Sequence, residues 1–291
     1  MPEPTPVVPF SLADAPALIE HLLPVQKLSA EAYKEQMAGV GKTLTALGSY
    51  WKGRKPLILA KACLLGCLLP ASNDLARDLE IFELLMGMDQ SALEARLAAK
   101  NSKESRFILG QQRSVGVSVP YREWVQAAAR PEECGDELFA GVWEEVNAHL
   151  GSHAYNFPQL VEQLGVMRFG RRPRLADTFC GSGQIPFEAA RLGCDVYASD
   201  LNPVACMLTW GAFRIVGGAE AERRKLAEEQ SRLVERVQAE IDRLGVRAMA
   251  RVGWAKFIST VWKLAARKPA GWYRFCRRGW STACARSLQN S

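Results

Sequence analysis

A chain that must pass from a strand through a tight turn into a helix has few folds open to it, and residues 177–183, Asp-Thr-Phe-Cys-Gly-Ser-Gly, impose that path here. Arg174-Leu175-Ala176 reads as a short strand leading into Asp177, and Gln184–Leu192 has helix-forming composition. Gly181 and Gly183 lack a Cβ, so the backbone can adopt unusual φ and a ligand can approach its amides at the helix N-terminus. Val196-Tyr197-Ala198-Ser199 reads as a second strand, and Asp200 at its carboxyl end is placed to accept hydrogen bonds from a ribose diol. A strand-helix-strand unit requires a spacing of about twenty residues between glycine loop and acid, as found here. The pattern predicts the first β-loop-α unit of a nucleotide-binding α/β domain. It departs from the dinucleotide fingerprint Gly-x-Gly-x-x-Gly, because Pro186 stands where the third glycine would. A βα turn whose glycines serve only packing would explain Gly181 and Gly183. It would leave Phe179 and the Ser-Asp-Leu-Asn-Pro string of residues 199–203 without a role.

Residues 177–183 resemble the S-adenosylmethionine loop of amino-methylating DNA methyltransferases, whose usual form is Asp-Pro-Phe-x-Gly-Ser-Gly; Thr178 replaces the proline. The continuation Gln184-Ile185-Pro186-Phe187-Glu188-Ala189, and then residues 199–205, resembles a bacterial group of adenine-specific DNA methylases. That group carries an N-terminal segment of unknown function with a Trp-rich, basic, proline-ended motif, whose counterpart is Tyr50-Trp51-Lys52-Gly53-Arg54-Lys55-Pro56-Leu57. The resemblance runs from about Leu18 to about Leu244 and is least diagnostic over residues 110–166. It implies a helical N-terminal region ahead of a Rossmann-like α/β domain that binds S-adenosylmethionine and methylates an exocyclic base nitrogen of DNA, in some members within phage-defence clusters. Carried over residue by residue, it implies cofactor contacts from Asp177, Phe179, Cys180, Gly181, Ser182, Gly183, Asp200 and Leu201. Trp51, Arg54 and Lys55 become candidates for touching substrate or cofactor. A solvated turn ahead of a helix started by Pro56 is the competing reading of Arg54 and Lys55.

Enzymes of this kind use an Asp/Asn/Ser-Pro-Pro-Tyr/Phe/Trp loop to accept a hydrogen bond from the target amine and stack on the extruded base. The sequence contains no Pro-Pro dipeptide, and Asn202-Pro203 reads as the start of the next helix. No catalytic residue is therefore assigned. The expectation is a methyltransferase-like chain truncated before its catalytic loop, with an incomplete Rossmann-like domain and no activity alone. Cys180-Gly181-Ser182-Gly183, followed by Ile185 and Glu188-Ala189-Ala190, also resembles RNA methyltransferases that make N2-methylguanine; the motif around Trp51 favours the DNA group. A non-catalytic S-adenosylmethionine-binding or scaffolding fragment is the remaining alternative.

Charge supports the expected truncation. Residues 247–291 hold ten Lys or Arg and no Asp or Glu, so the formal charge of +6 becomes −4 over residues 1–246. Trp254, Trp262, Trp272 and Trp280 lie in the same stretch without helical or strand periodicity. Codons can be chosen so that residues 257–277, read one base earlier, yield a string similar to the family's continuation. A frameshifted, disordered tail is the expectation; a basic aromatic nucleic-acid arm is the alternative.

The remaining chain divides into a disordered tail at 1–14, a mainly helical region at 15–170 and the partial S-adenosylmethionine-binding domain at 171–246. Helices are expected from Ser29 toward Met37, across 56–70, at 75–86, at 92–99 with a capping box of Ser91 and Glu94, at 137–150 and at 157–164. Loops are expected at 101–106 and 169–173. A charged helix at 219–244 carries Leu226, Leu233, Val237, Ile241 and Leu244 near one face, which either packs on its own domain or meets a partner protein. Its 291 residues are 48% hydrophobic, which suits one large or two small globular domains. Residues 1–9 lack the basic start and apolar core of a secretory signal. The apolar run at 56–70 contains Lys61 and falls short of the about twenty residues a bilayer requires. The eight cysteines show no Cys-x-x-Cys, so reduced cytoplasmic thiols are expected and no metal site is assigned. Gly41-Lys42-Thr43 lacks the first glycine of a P-loop, and Gly151 and Ser152 interrupt any helix that would align His149 with His153.

Overall fold

The computed structural model describes residues 6–37, 51, 53–112 and 119–243, a mostly helical chain with one two-stranded parallel sheet. Helices α1 (Leu18–His21), α2 (Val25–Gln36), α3 (Leu57–Leu68), α4 (Leu75–Met86), α5 (Gln90–Lys100), α6 (Lys103–Gln112) and α7 (Tyr121–Ala127) come first. They are followed by α8 (Pro131–Cys134), a 3-10 turn at Asp136–Phe139, α9 (Trp143–Leu150) and α10 (Phe157–Phe169). Then come β1 (Arg174–Asp177), α11 (Gln184–Leu192), β2 (Asp195–Ala198), α12 (Pro203–Gly211), a π-helical turn at Ala212–Val216 and α13 (Glu220–Arg243). Two compact units divide the described residues. One holds residues 6–37, 55–112, 119–177 and 188–197; the other holds 51, 53–54, 178–187 and 198–243.

The first unit is built around α3, whose Leu-, Ile- and Ala-rich sequence has no polar face and must be surrounded. It packs against α1, α2, α4 and α10. Leu65, Phe82, Leu85, Leu160 and Leu164 are fully buried there, and Ala189, Leu192 and Cys194 join the same core. A second core under α5, α6 and α7 gathers Leu97, Ile108, Trp124 and Val125. Charges enter this interior only with partners. The Arg96 guanidinium donates to both oxygens of Glu31 at 2.7 and 2.8 Å, to the Ala129 carbonyl at 2.8 Å and to the Gly87 carbonyl at 2.8 Å. The Tyr121 hydroxyl adds a bond to Glu31 at 3.0 Å. Glu35, at the end of α2, accepts the N–H groups of Leu57 (2.8 Å) and Ile58 (3.0 Å), so a distant side chain caps α3 where Pro56 cannot.

Lys61 points from α3 into this core. Its ammonium donates to the Leu85 carbonyl at 2.7 Å and stands 4.0 Å from the ring centre of Phe157 and 4.5 Å from that of Phe139. Burial, aided by Arg191, pulls the amine down to about 7, while Glu188, Glu132 and Asp136 act in the opposite sense. Burial pushes the Glu35 carboxyl up to about 7, with Glu132 adding to the rise and the two capped N–H groups opposing it.

Several sequence expectations need correction. Residues 6–14 are anchored rather than disordered: Phe10 N–H bonds to the Val166 carbonyl (3.2 Å) and Leu12 N–H to that of Met167 (2.8 Å). Phe10 lies over Gly170, where a methyl group would meet its ring at 2.3 Å. The helix expected from Ser29 begins at Val25, after Pro24. Asp89, not Ser91, caps α5 by accepting the Ala92 N–H at 3.1 Å. The stretch expected as a loop at 101–106 starts α6 instead, because the Ser102 hydroxyl accepts the Ser105 N–H at 3.0 Å as a cap. The expected helix at 137–150 is split into the 3-10 turn and α9. The compact units do not part at 170/171: β1 and most of β2 pack with the helical unit, since Leu175 and Val196 rest on its core. No residue of α13 is buried, and Leu226, Leu233 and Val237 of its apolar stripe are exposed. Leu244, the phosphate-loop-like tripeptide at 41–43 and the tail at 247–291 lie outside the described residues.

Candidate functional site

The expected strand-loop-helix-strand path is present: Asp177 ends β1, α11 starts at Gln184, and Asp200 follows β2. Gly181 and Gly183 hold φ of 53° and 74°, the left-handed region that glycine enters without penalty. Each glycine is also required by a neighbour. A methyl group on Gly181 would lie 2.9 Å from the indole Nε1 of Trp51, and one on Gly183 would lie 2.6 Å from Oγ1 of Thr209.

Three of the loop amides serve the protein's own structure. Cys180 N–H donates to the Ser199 carbonyl at 3.0 Å, and Gly183 N–H to the Cys180 carbonyl at 2.8 Å. Gly181 N–H donates to Oδ2 of Asp200 at 2.9 Å, while Oδ1 accepts the Asn202 N–H at 2.9 Å. The Asn202 and Gly181 N–H groups hold the Asp200 carboxyl below the usual carboxylate range, so it stays ionised. An ionised carboxylate has about four lone-pair positions, and the N–H groups of Gly181, Asn202 and Leu201 draw on three of them. Acceptor capacity for hydroxyl donors remains.

Side chains around this carboxylate sort cleanly. Cys180, Ser182 and Gln184 are buried, with Gln184 Nε2 reaching Ser182 Oγ at 3.4 Å. Phe179 and Leu201 are 76% and 90% exposed. Two large apolar side chains thus stand in solvent, one two residues before Gly181 and the other next to Asp200 in the chain. Asn202 caps α12 by accepting the Val204 N–H at 2.9 Å, as its place before Pro203 suggests.

Of the three candidates upstream, Trp51 is brought against Gly181. Arg54 is half-buried, with its N–H turned back toward the Trp51 carbonyl at 3.4 Å, and Lys55 is exposed. Sequence reasoning missed Thr209. A threonine in the apolar helix 203–211 carries no motif; its distance of nine residues from Asp200 is meaningful only once α12 folds back under the loop. His149, weighed in the sequence as half of a histidine pair, has Nε2 2.7 Å from Oδ1 of the buried Asp78, which also accepts from Ser72. Among the described residues no helix is long and apolar enough to cross a membrane.

Comparison with known families and proteins adds one match. The model of a family described as "Protein of unknown function (DUF1156)" matches residues 22–87, the stretch from the end of α1 to the end of α4 that includes Trp51, Arg54 and Lys55. No curated protein and no solved structure matches the chain.

Proposed function

We propose that residues 178–183 with Asp200 and Leu201 form the nucleoside end of an S-adenosylmethionine site, in an incomplete Rossmann-like domain of a DNA methyltransferase-like protein of the adenine-N6 type. The observation that carries this reading is the bond from Gly181 N–H to Asp200, flanked by the exposed Phe179 and Leu201. The carboxylate would accept the ribose hydroxyls, and the two apolar side chains would cover the faces of the adenine. Preset by two backbone N–H groups, Asp200 loses little freedom on binding, which lowers the cost of association. The proximity of Trp51 to Gly181 supports a role for that residue at the same site.

S-adenosylmethionine supplies an electrophilic methyl group on sulfur. The chain's part in that chemistry is to bind and orient the cofactor. DNA as the methyl acceptor and a role in phage defence or modification follow from the sequence resemblance. The base-holding Pro-Pro loop is not among these residues, so none is assigned to proton transfer or to gripping the base. The test is isothermal titration of S-adenosylmethionine into the purified chain, with Asp200→Ala as control. Saturable binding lost in the variant supports the reading; a folded wild-type chain that takes up no cofactor ends it.

A further inference from the structure

The loop is held from beneath by a residue outside the motif. Thr209, on α12, is 3% exposed. Its hydroxyl donates to the Gly181 carbonyl at 3.3 Å and lies 3.4 Å from the Cys180 sulfur. A hydroxyl has a single proton. The Cys180 thiol, 3.9 Å from the same carbonyl and 3.4 Å from Oγ1, is a second and weaker donor beside it. The side chain also sits so close to Gly183 that any Cβ there would meet its Oγ1, Cγ2 and Cβ within 3.0 Å.

Two features separate this hydroxyl from ordinary helix packing. A threonine inside a helix commonly bonds back to the carbonyl one turn earlier; Thr209 bonds to the loop. Burying a hydroxyl is costly without a partner, so valine, of the same shape, would suit a site that needed only volume. The consequence is that both peptide units flanking the Gly181 Cα are held, the one before it through the Gly181 N–H by Asp200 and the one after it through the Gly181 carbonyl by Thr209. Freeing the second unit would let φ and ψ at this glycine drift and so loosen the Gly181 N–H that helps preset the acid.

We propose that Thr209 is a positioning residue of the cofactor site, its hydroxyl holding the Gly181 carbonyl and with it the backbone at Gly181, so that Asp200 and the loop stand ready for the nucleoside. This rests on the cofactor reading above. The test compares wild type, Thr209→Val and Thr209→Ser as full-length chains. It measures titration with S-adenosylmethionine, hydrogen exchange at the Gly181 amide without cofactor, and thermal unfolding. Valine should weaken binding about tenfold, the scale of one buried hydrogen bond. It should also speed Gly181 exchange while lowering the unfolding transition by only about 2–4 °C, the scale of one unpaired carbonyl. Serine, which keeps the hydroxyl, should restore both. Valine with wild-type affinity and exchange overturns the proposal, as does serine failing alongside valine, which would make the methyl group the important part. A wild-type chain that binds no cofactor overturns the cofactor reading itself, whatever the Gly181 exchange shows.

Discussion

Replacing Lys61 by methionine should make the first unit more stable at neutral pH and less stable in alkali. The amine lies against Phe139 and Phe157 with one protein acceptor, the Leu85 carbonyl, and burial draws it down from 10.5 to about 7. A depressed folded value stabilises fully only above the unfolded one, and that contribution is lost as pH falls through about 7. At about 1.4 kcal/mol per pH unit, the wild type should gain about 2 kcal/mol between pH 7.5 and 9.5. For a urea dependence of about 2 kcal/mol per molar, the unfolding midpoint should rise by about 1 M. A methionine side chain has no proton to lose, so Lys61→Met should remove this slope. At pH 7 it avoids a deprotonation cost of about 4 kcal/mol and leaves the Leu85 carbonyl unpaired at a cost of about 1–2 kcal/mol, a net gain of about 2–3 kcal/mol. Above the unfolded value of 10.5 only the lost hydrogen bond remains, and wild type should be the more stable by about 1 kcal/mol. Urea unfolding of both proteins from about pH 7 to about pH 11, followed by far-ultraviolet circular dichroism, checks this. A flat wild-type profile, or a variant weaker at pH 7, refutes the account of Lys61.

Glu35 gives the opposite limb: its folded value is raised to about 7, so its stabilisation is complete below about 4.5 and is lost as pH rises through 7. Wild-type stability should therefore fall from pH 5 to 7, and Glu35→Gln should flatten that limb in the same unfolding series. Glu31→Ala strands the buried Arg96 guanidinium and should cost about 3–5 kcal/mol. Glu31→Leu combined with Arg96→Met should cost less than the single change, which a double-mutant cycle by urea unfolding measures. Gly183→Ala puts a methyl group 2.6 Å from the Thr209 hydroxyl at a φ of 74° and should weaken S-adenosylmethionine binding at least tenfold by titration calorimetry. Asp200 should titrate below an ordinary aspartate in an NMR pH series, since two backbone N–H groups favour its ionised form.

Local chemistry alone determined the strand-loop-helix path at 174–192, the acid after the second strand, the cap at Asn202 and the helix at 75–86, because each rests on neighbours within a few residues. The resemblance identified Trp51 by its motif, yet its position against Gly181 depends on two segments far apart in sequence. Turn-forming residues misled at 101–106, where serine served as a cap, while at 137–150 the turn around Gly141 splits one expected helix into two elements. Nothing in the order of residues marks Lys61 or Glu35 as perturbed. Their burial comes from α4, α9 and α10 closing around α3, and the cost of charge depends on the solvent removed rather than on the residue type. Thr209 is the clearest case of what only tertiary structure decides: a hydroxyl in an apolar helix acquires a partner because α12 folds beneath the loop. Hydrogen bonds require a distance and a direction, and a sequence of residue types specifies neither across a gap of twenty-eight positions.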